Sequence, residues 1–228
     1  MPDFDVVDLG PTDHLEPGET APDFTRPLVT AETWEDRSLS DVAGDGPTLL
    51  LFTTMVGAFL AEYTLSELRE RGIGIGERAE RSDVNGGAGD RDESDEAADS
   101  RDETDESAGE TDESAGETAE SDDHATESAA ESGLEDVTVV TVSISSPYET
   151  IRFLAEDDSP YGIFSDPSNA VAEAYGVVHD LDGMAGISEP RPAAFVLDAD
   201  RTIRYAWAAT EWPDRPDFDE VVRALETE

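Results

Sequence analysis

Residues 137–144 have the sequence Val-Thr-Val-Val-Thr-Val-Ser-Ile, the clearest strand signal in the chain. β-Branched side chains of this kind suit a pleated, buried surface. A second strand is predicted at residues 48–53, where Thr-Leu-Leu-Leu-Phe-Thr follows Gly46-Pro47 as a short apolar run. Between these strands, apolar side chains recur at helical spacing from Ala58 to Arg71, and Gly72 supplies a helix stop. The centre of the chain therefore predicts a strand–helix–strand unit.

The other predicted elements alternate in type along the chain. They are a turn-rich lead before residue 39, a helical turn at 39–42, helices at 148–156, 168–175 and 218–225, and strands at 161–164, 193–198 and 202–208. Such an order predicts an α/β domain in which a mixed central sheet carries helices on both faces. It is similar to the order of elements in the thioredoxin-like fold.

Residues 76–133 form a strongly acidic segment with 22 acidic residues, four arginines and no Phe, Trp, Tyr, Leu, Ile or Met. Because nothing in it can bury a core, we predict a disordered insertion. Residues 104–110, Thr-Asp-Glu-Ser-Ala-Gly-Glu, are repeated at 111–117, but units with Ala as the only apolar residue cannot make a coiled-coil seam. We therefore predict a single domain formed by residues 1–75 and 134–228, with the insertion between them.

The net charge is −43 over 228 residues, and all fourteen basic residues are Arg. The insertion contributes −18, which leaves −25 on the rest of the chain. A lysine-free acidic surface suits a medium in which concentrated salt screens self-repulsion, so we expect a halophile's cytoplasm. The same surface repels phosphates and anionic headgroups, which argues against nucleic acid and membranes as partners. We find no secretory signal and no apolar run long enough for a membrane span.

Several kinds of chemistry are excluded by composition. The chain contains no Cys and no Lys, so disulfides, thiolate nucleophiles, cysteine-based metal sites and Schiff bases are impossible. His14, His124 and His179 lack metal-ligand spacing, and we predict no metal and no cofactor. The string from His179 to Met184 is the most site-like one, although a surface loop capped by Asx turns is the favoured interpretation. Trp212 and its neighbouring aromatic and proline residues could pack the last helix or form a partner-binding patch, and packing is the favoured interpretation.

Motifs in consecutive order make the chain resemble the AhpC/TSA branch of the peroxiredoxins. They are Gly18-Glu19-Thr20-Ala21-Pro22-Asp23-Phe24, similar to G-x-x-A-P-D-F; Leu39-Ser40-Asp41; Val142-Ser143 to Ser146-Pro147; Phe153; Phe164-Ser165-Asp166; and Ala174-Tyr175-Gly176-Val177. The resemblance covers nearly all of the chain outside the insertion. It implies a thioredoxin-like fold and, by family, an antioxidant oxidoreductase that reduces peroxides.

The reacting residues implied by this resemblance are missing. In peroxiredoxins a P-x-x-x-[TS]-x-x-C segment follows the Phe-ended strand, and its thiolate lies at a helix N-terminus, where the dipole and an Arg lower the thiol pKa. Counting on from Phe52 places Thr54 at the Pro position, Ala58 at the hydroxyl position and Ala61 at the cysteine position. A shift of one or two residues would instead place Tyr63-Thr64 at the family's Cys-Thr. Neither alignment restores a thiol.

The family also brings an Arg to the peroxide from an R-x-x-F-[VI]-[IL]-D strand. Residues 191–198 here read Arg-Pro-Ala-Ala-Phe-Val-Leu-Asp, and the spacing to Phe195 places Pro192 at the Arg position. Pro192 resembles the cis-proline beside the active site of thioredoxin, which predicts a cis peptide bond. Arg191 then either reaches into the pocket that corresponds to the family's peroxide site or lies beside that pocket, and the second alternative is favoured.

We therefore expect a redoxin that has lost its peroxidatic cysteine and serves as a binding or interaction module. It retains a vestigial pocket at Thr54, Ala58, Ala61, Arg191 and Pro192, and it is dimeric if it follows its relatives. The alternative is a cysteine-independent oxidoreductase activity that uses Arg191, His179 or a bound cofactor. Because the active-site helix begins at the carboxyl end of the central strand, the insertion at its other end should lie away from the pocket. A solubilising role for the insertion is favoured over docking to a basic partner.

Overall fold

The computed structural model describes residues 6–75, 133–180 and 188–227. The insertion predicted at 76–133 lies outside the described residues apart from Gly133. The strands are β1 (Val7–Asp8), β2 (Thr25–Val29), β3 (Trp34–Ser38), β4 (Thr48–Phe52), β5 (Thr138–Ser143), β6 (Gly162–Ser165), β7 (Val178–Asp180), β8 (Ser188–Pro190), β9 (Ala193–Leu197), β10 (Ile203–Ala208) and β11 (Glu211–Trp212). The α-helices are α1 (Leu39–Val42), α2 (Phe59–Glu70), α3 (Pro147–Asp157), α4 (Ala170–Ala174) and α5 (Phe218–Leu225).

Seven strands form one mixed sheet in the order β10-β9-β4-β5-β6-β2-β3. The neighbours β4, β5 and β6 run parallel, and β9 and β2 flank them in the antiparallel direction. Strands from both sides of the insertion alternate within this sheet. The prediction of a mixed sheet with helices on both of its faces is confirmed.

The strand β4 lies at the centre of the core, and all five of its residues are buried. Because side chains alternate across a strand, Leu50 and Phe52 face one side of the sheet, and Leu49 and Leu51 face the other. The helices α1 and α4 pack on the first side, whereas α2 and α5 pack on the second. Helix α3 buries Leu154 beside the sheet's other edge.

The predicted motifs supply much of the aromatic core. The rings of Phe52, Tyr175 and Phe195 lie 5.1–5.8 Å apart, and the ring of Phe24 lies 5.0 Å from that of Phe164. Edge-to-face and tilted contacts at these distances are favourable for aromatic pairs. The family-like motifs are thus mainly architectural in this chain.

The lead before residue 39 is more ordered than the sequence predicted. It contains the hairpin β2–β3, which forms one edge of the large sheet. Pro27 hides the strand signal of β2, but it lies outside the two-residue ladder that joins Leu28 and Val29 to β6. Strand β3 is exposed and charged, as edge strands often are.

Main-chain hydrogen bonds hold the residues before β2 against the domain. This shorter segment, residues 6–24, is called the N-terminal lead from here on. Three of its hydrogen bonds are Leu9 N to Thr210 O at 2.9 Å, Leu15 N to Tyr175 O at 3.3 Å and Gly18 N to Ile203 O at 2.8 Å. Gly176 has a φ of +69°, and a Cβ atom there would lie 2.3 Å from the carbonyl oxygen of Asp13. The lead therefore crosses the domain at a position that only glycine leaves open.

The insertion leaves and rejoins the domain at neighbouring points. The Gly74 N–H donates to the carbonyl of Leu134 at 2.8 Å, beside Val137 at the start of β5. Thr54, by contrast, follows the carboxyl end of the parallel neighbour β4. The insertion is thus attached at the opposite end of the central strands from the predicted pocket. No helix within the three described ranges is long and apolar enough to cross a membrane.

Candidate functional site

The start of α2 contains no nucleophile. Ala58 is the N-cap and provides no side-chain hydrogen bond to the helix. Ala61 is buried in the first turn, and its N–H donates to the Ala58 carbonyl at 2.9 Å. Tyr63 lies two residues after Ala61, and the hydroxyl of Thr64 donates to the carbonyl of Leu60 at 2.7 Å. A methyl group therefore occupies the first-turn position at which the resemblance places the reactive thiol.

A cavity of about 340 Å³ lies beside the carboxyl end of β4. Thr54, Arg191 and Pro192, three of the predicted site residues, line it together with His179. Ala58 and Ala61 are not among its lining residues. The N-terminal lead and the last strand cover it, since β1 pairs with β11 and brings Val7 opposite Trp212.

The hairpin β7–β8 supplies the titratable groups of this cavity. Glu189 lies in the middle of β8, and Arg191 directly follows the end of that strand. His179 is the register partner of Glu189 on β7, and cross-strand partners share a face. All three residues line the cavity. His179 therefore belongs to a cavity-lining strand, and its favoured interpretation as part of a surface loop is wrong; residues 181–184 of that string lie outside the described ranges.

The guanidinium of Arg191 clamps the N-terminal lead. One terminal nitrogen donates to the carbonyls of Gly10 at 2.9 Å and Ala209 at 3.0 Å, and the other donates to that of Leu9 at 3.2 Å. The residue is 5% exposed, and burial lowers the pKa of its guanidinium. Arg191 thus lines the cavity; its terminal nitrogens donate to main-chain oxygens, and its buried Nε has no hydrogen-bond partner among the described residues.

The predicted cis peptide bond at Pro192 is wrong. Among the described residues the cis peptide bond is Trp212–Pro213, so Arg191–Pro192 is trans. The Arg191 N–H donates to Val177 O at 2.8 Å, and Pro192 O accepts from the Ala209 N–H at 2.8 Å. These bonds hold the extended path of the chain from β8 into β9.

Glu189 is the polar residue of the cavity that the sequence did not reveal. It is 8% exposed, and burial raises the pKa of its carboxyl group. Its sequence neighbours, Ser188 and Pro190, are typical of turns and carry no site-like pattern. Trp212 likewise lines the cavity, whereas the sequence predicted that it would pack the last helix. Glu189 and Trp212 can be identified as cavity residues only from the structure, in which the N-terminal lead covers the cavity.

Within the described ranges, no group of His, Asp and Glu is placed to hold a metal ion.

Comparisons with known proteins agree with this architecture. Residues 117–206 match the model of the AhpC/TSA family, a range that includes the segments after β5 and the 191–198 strand. No curated protein matches the chain in sequence.

Solved structures of peroxiredoxins share its fold at low identity. Peroxidoxin BcpB of Mycobacterium tuberculosis is 19% identical with a TM-score of 0.54, over 93% of this chain and 97% of that one. A thiol peroxidase of Chromobacterium violaceum is 16% identical with a TM-score of 0.56, over 96% and 89%. AhpC of Mycobacterium tuberculosis is 13% identical with a TM-score of 0.55, over 93% and 92%. The chain therefore has a thioredoxin-like fold shared with peroxiredoxins, is similar to the AhpC/TSA family over residues 117–206, and contains no cysteine.

Proposed function

We propose that this chain is a catalytically degenerate redoxin whose fold serves binding or interaction in place of thiol chemistry. The observation that carries the proposal is the absence of cysteine, combined with a buried Ala61 in the first turn of α2. A thiolate is the group that attacks the peroxide oxygen in this family's chemistry, and no other side chain forms a sulfenic acid that a reductant can recycle. The retained cavity of about 340 Å³ has the size of a small-molecule site.

A second candidate function is a cysteine-independent reaction in the same cavity. It is favoured because the cavity is lined by polar and titratable side chains, namely those of Thr54, His179, Glu189 and Arg191. An imidazole opposite a carboxyl group is a suitable pair for proton transfer. We rank this candidate second because three of the four donors of the Arg191 terminal nitrogens are directed at main-chain carbonyls.

We expect the purified chain to consume hydrogen peroxide only in stoichiometric amounts. Its three methionines can each take up one oxygen atom to form a sulfoxide, and Met55 is 44% exposed. Consumption is measured in concentrated salt, with and without added thiol reductant, and the direct reaction of the reductant with peroxide is subtracted with a protein-free control. The remaining consumption should stop at roughly three equivalents per chain.

The matched control is Met55→Leu, which removes the exposed thioether and should lower the stoichiometric uptake. Sustained turnover that is fed by the reductant, and that survives Met55→Leu, would support the cysteine-independent enzyme and refute the binding module. Loss of that turnover in a His179→Gln variant would then assign it to the cavity.

We also propose that residues 1–75 and 134–228 are one domain and that the acidic insertion between them solubilises it. Supporting this, Gly74 and Leu134 already share a hydrogen bond of 2.8 Å, so a short linker can replace residues 76–132. We expect this variant to fold and to keep its Tm in concentrated salt within about 2 °C, which is less than about 1 kcal/mol for a chain of this size. Calorimetry measures this outcome.

A chain of unchanged length in which Asn and Gln replace the acids of residues 76–132 separates charge from length. We expect it to precipitate at salt concentrations at which the parent chain stays in solution, because net charge keeps protein molecules apart. A shortened variant that fails to fold would refute the single interrupted domain.

The cytoplasmic location, the halophilic setting and the homodimer remain proposals. The first two are supported by the acidic, lysine-free composition. The homodimer is supported by the resemblance to peroxiredoxins, whose members often form dimers.

A further inference from the structure

We propose that the cavity beneath the N-terminal lead binds a small organic amine that carries an apolar group, with the ammonium held by the Glu189 carboxylate. This inference rests on the proposed binding function and names a ligand class for it. It concerns a residue that the family-like motifs do not include.

Glu189 is a largely buried residue whose carboxyl group has no partner among the described residues. It is 8% exposed, it lines the cavity, and no hydrogen bond or ion pair joins its side chain to any residue of the described ranges. Such a carboxylate is shielded from much of the water that would otherwise solvate it, so a cationic partner stabilises its charge. Such a group indicates a partner that arrives from outside the chain.

The nearest fixed cation does not neutralise it. Arg191 lies two residues away along the chain, but its terminal nitrogens donate to the carbonyls of Leu9, Gly10 and Ala209. No ion pair within 4.0 Å joins the two side chains. The carboxylate therefore keeps its capacity to accept hydrogen bonds from a ligand.

The charge of the Glu189 carboxylate selects a cation as that ligand. A cation in contact with it balances this charge at a range that salt screens little, whereas an anion would be repelled. An ammonium group donates up to three hydrogen bonds, and a charge-assisted bond to a carboxylate is stronger than a neutral one. A neutral donor would leave the carboxylate charge unbalanced.

The remaining walls fit an apolar group. Val7, Leu9 and Pro190 contribute aliphatic surface, and Trp212 contributes an indole. An aromatic ring attracts an ammonium in addition to packing against hydrocarbon. The volume of about 340 Å³ is at the small end of ligand sites, which limits the ligand to the size of a single ring with a short side chain.

The test is calorimetric titration of the full chain with benzylamine, benzyl alcohol and benzoate in concentrated salt at mildly alkaline pH. These probes share one ring and differ in the charge of the head group. We expect saturable binding of benzylamine at least about tenfold tighter than that of benzyl alcohol, and no binding of benzoate. Benzylamine should also raise the Tm of the unsubstituted chain, since a ligand stabilises the state that it binds.

Glu189→Gln should weaken benzylamine binding at least about tenfold and leave benzyl alcohol unchanged. Glu211→Gln is the matched control, because it removes the same charge from the neighbouring strand β11 at an exposed position outside the cavity. We expect Glu211→Gln to bind benzylamine like the parent chain.

Equal affinity for benzylamine and benzyl alcohol, tighter binding of benzoate, no Tm shift of the parent chain, or equal effects of the two Gln variants would each overturn the amine site. None of these outcomes restores thiol chemistry, so they leave the proposed function standing. Sustained peroxide turnover, in contrast, refutes the proposed function whether or not benzylamine binds.

Discussion

Transfer from concentrated salt to about 0.1 M KCl is expected to destabilise the protein by on the order of 5 kcal/mol, comparable with the whole stability of a domain. For a chain of this size, that is a fall in Tm of about 10–20 °C. The cause is the net −25 that remains outside the insertion. At about 0.1 M salt the screening length is about 10 Å, long enough for neighbouring surface carboxylates to repel one another.

The structure offers little internal compensation for this repulsion. Within the described ranges the ion pairs reach only seven carboxylates, and several of the partners are exposed, as in Arg37–Glu35 and Arg71–Asp219. Exposed pairs contribute between nothing and about 1 kcal/mol each. We therefore expect screening by the solvent to contribute to the stability.

Calorimetry across a KCl series measures the effect, and sucrose at matched osmolality controls for general exclusion of cosolute. Reversal of two exposed charges near helix C-termini, Glu70→Lys and Glu156→Lys, should raise the Tm at low salt and leave it nearly unchanged at high salt. A flat dependence of Tm on KCl would contradict the halophilic surface.

Arg191→Ala is expected to cost about 3 kcal/mol or more and to release the N-terminal lead. The substitution removes three charge-assisted hydrogen bonds and leaves the carbonyls of Leu9, Gly10 and Ala209 without their donor. Strand β1 then loses the contact that fixes it beside β11. Hydrogen exchange at the Leu9 N–H, which donates to Thr210 O, reports this release directly.

Arg223→Ala is the matched control, because it removes one positive charge from the exposed side of α5. It should change the stability by less than about 0.5 kcal/mol. Arg191→Lys should recover only part of the loss, since a single ammonium cannot span three carbonyls as the planar guanidinium does. Unchanged protection of the Leu9 N–H in Arg191→Ala would show that the guanidinium does not hold the lead.

The sequence predicted the large elements because their periodicity matches their burial. Residues 49–52 are apolar at every position, all of residues 48–52 are buried, and α2 buries Leu60, Leu65 and Leu68 at the expected helical spacing. The hairpin β2–β3 was not predicted. An edge strand such as Trp34–Ser38 is charged and exposed, so its sequence pattern cannot be distinguished from that of a loop.

The candidate site was predictable only in part. Motif spacing led to Thr54, Arg191 and Pro192, which do line one cavity. It could not reveal Glu189, because the residues that bury this carboxyl group come from a lead more than 170 positions earlier in the chain. The trans peptide bond between Arg191 and Pro192 could not be predicted from the local sequence either. The Arg191 N–H and the Pro192 carbonyl form hydrogen bonds with Val177 and Ala209, which lie elsewhere in the chain.

The way in which the lead is attached has a consequence for how this protein can change. Next to the cavity, the anchors of the lead are the peptide groups of Leu9 and Gly10, which bond to Thr210 and to the Arg191 guanidinium, and peptide groups are the same whatever side chain they carry. Substitutions at Val7 or Leu9 can therefore reshape the roof of the cavity while the path of the backbone is kept. Substitutions in this segment can therefore change which ligands the cavity accepts, without any change of fold.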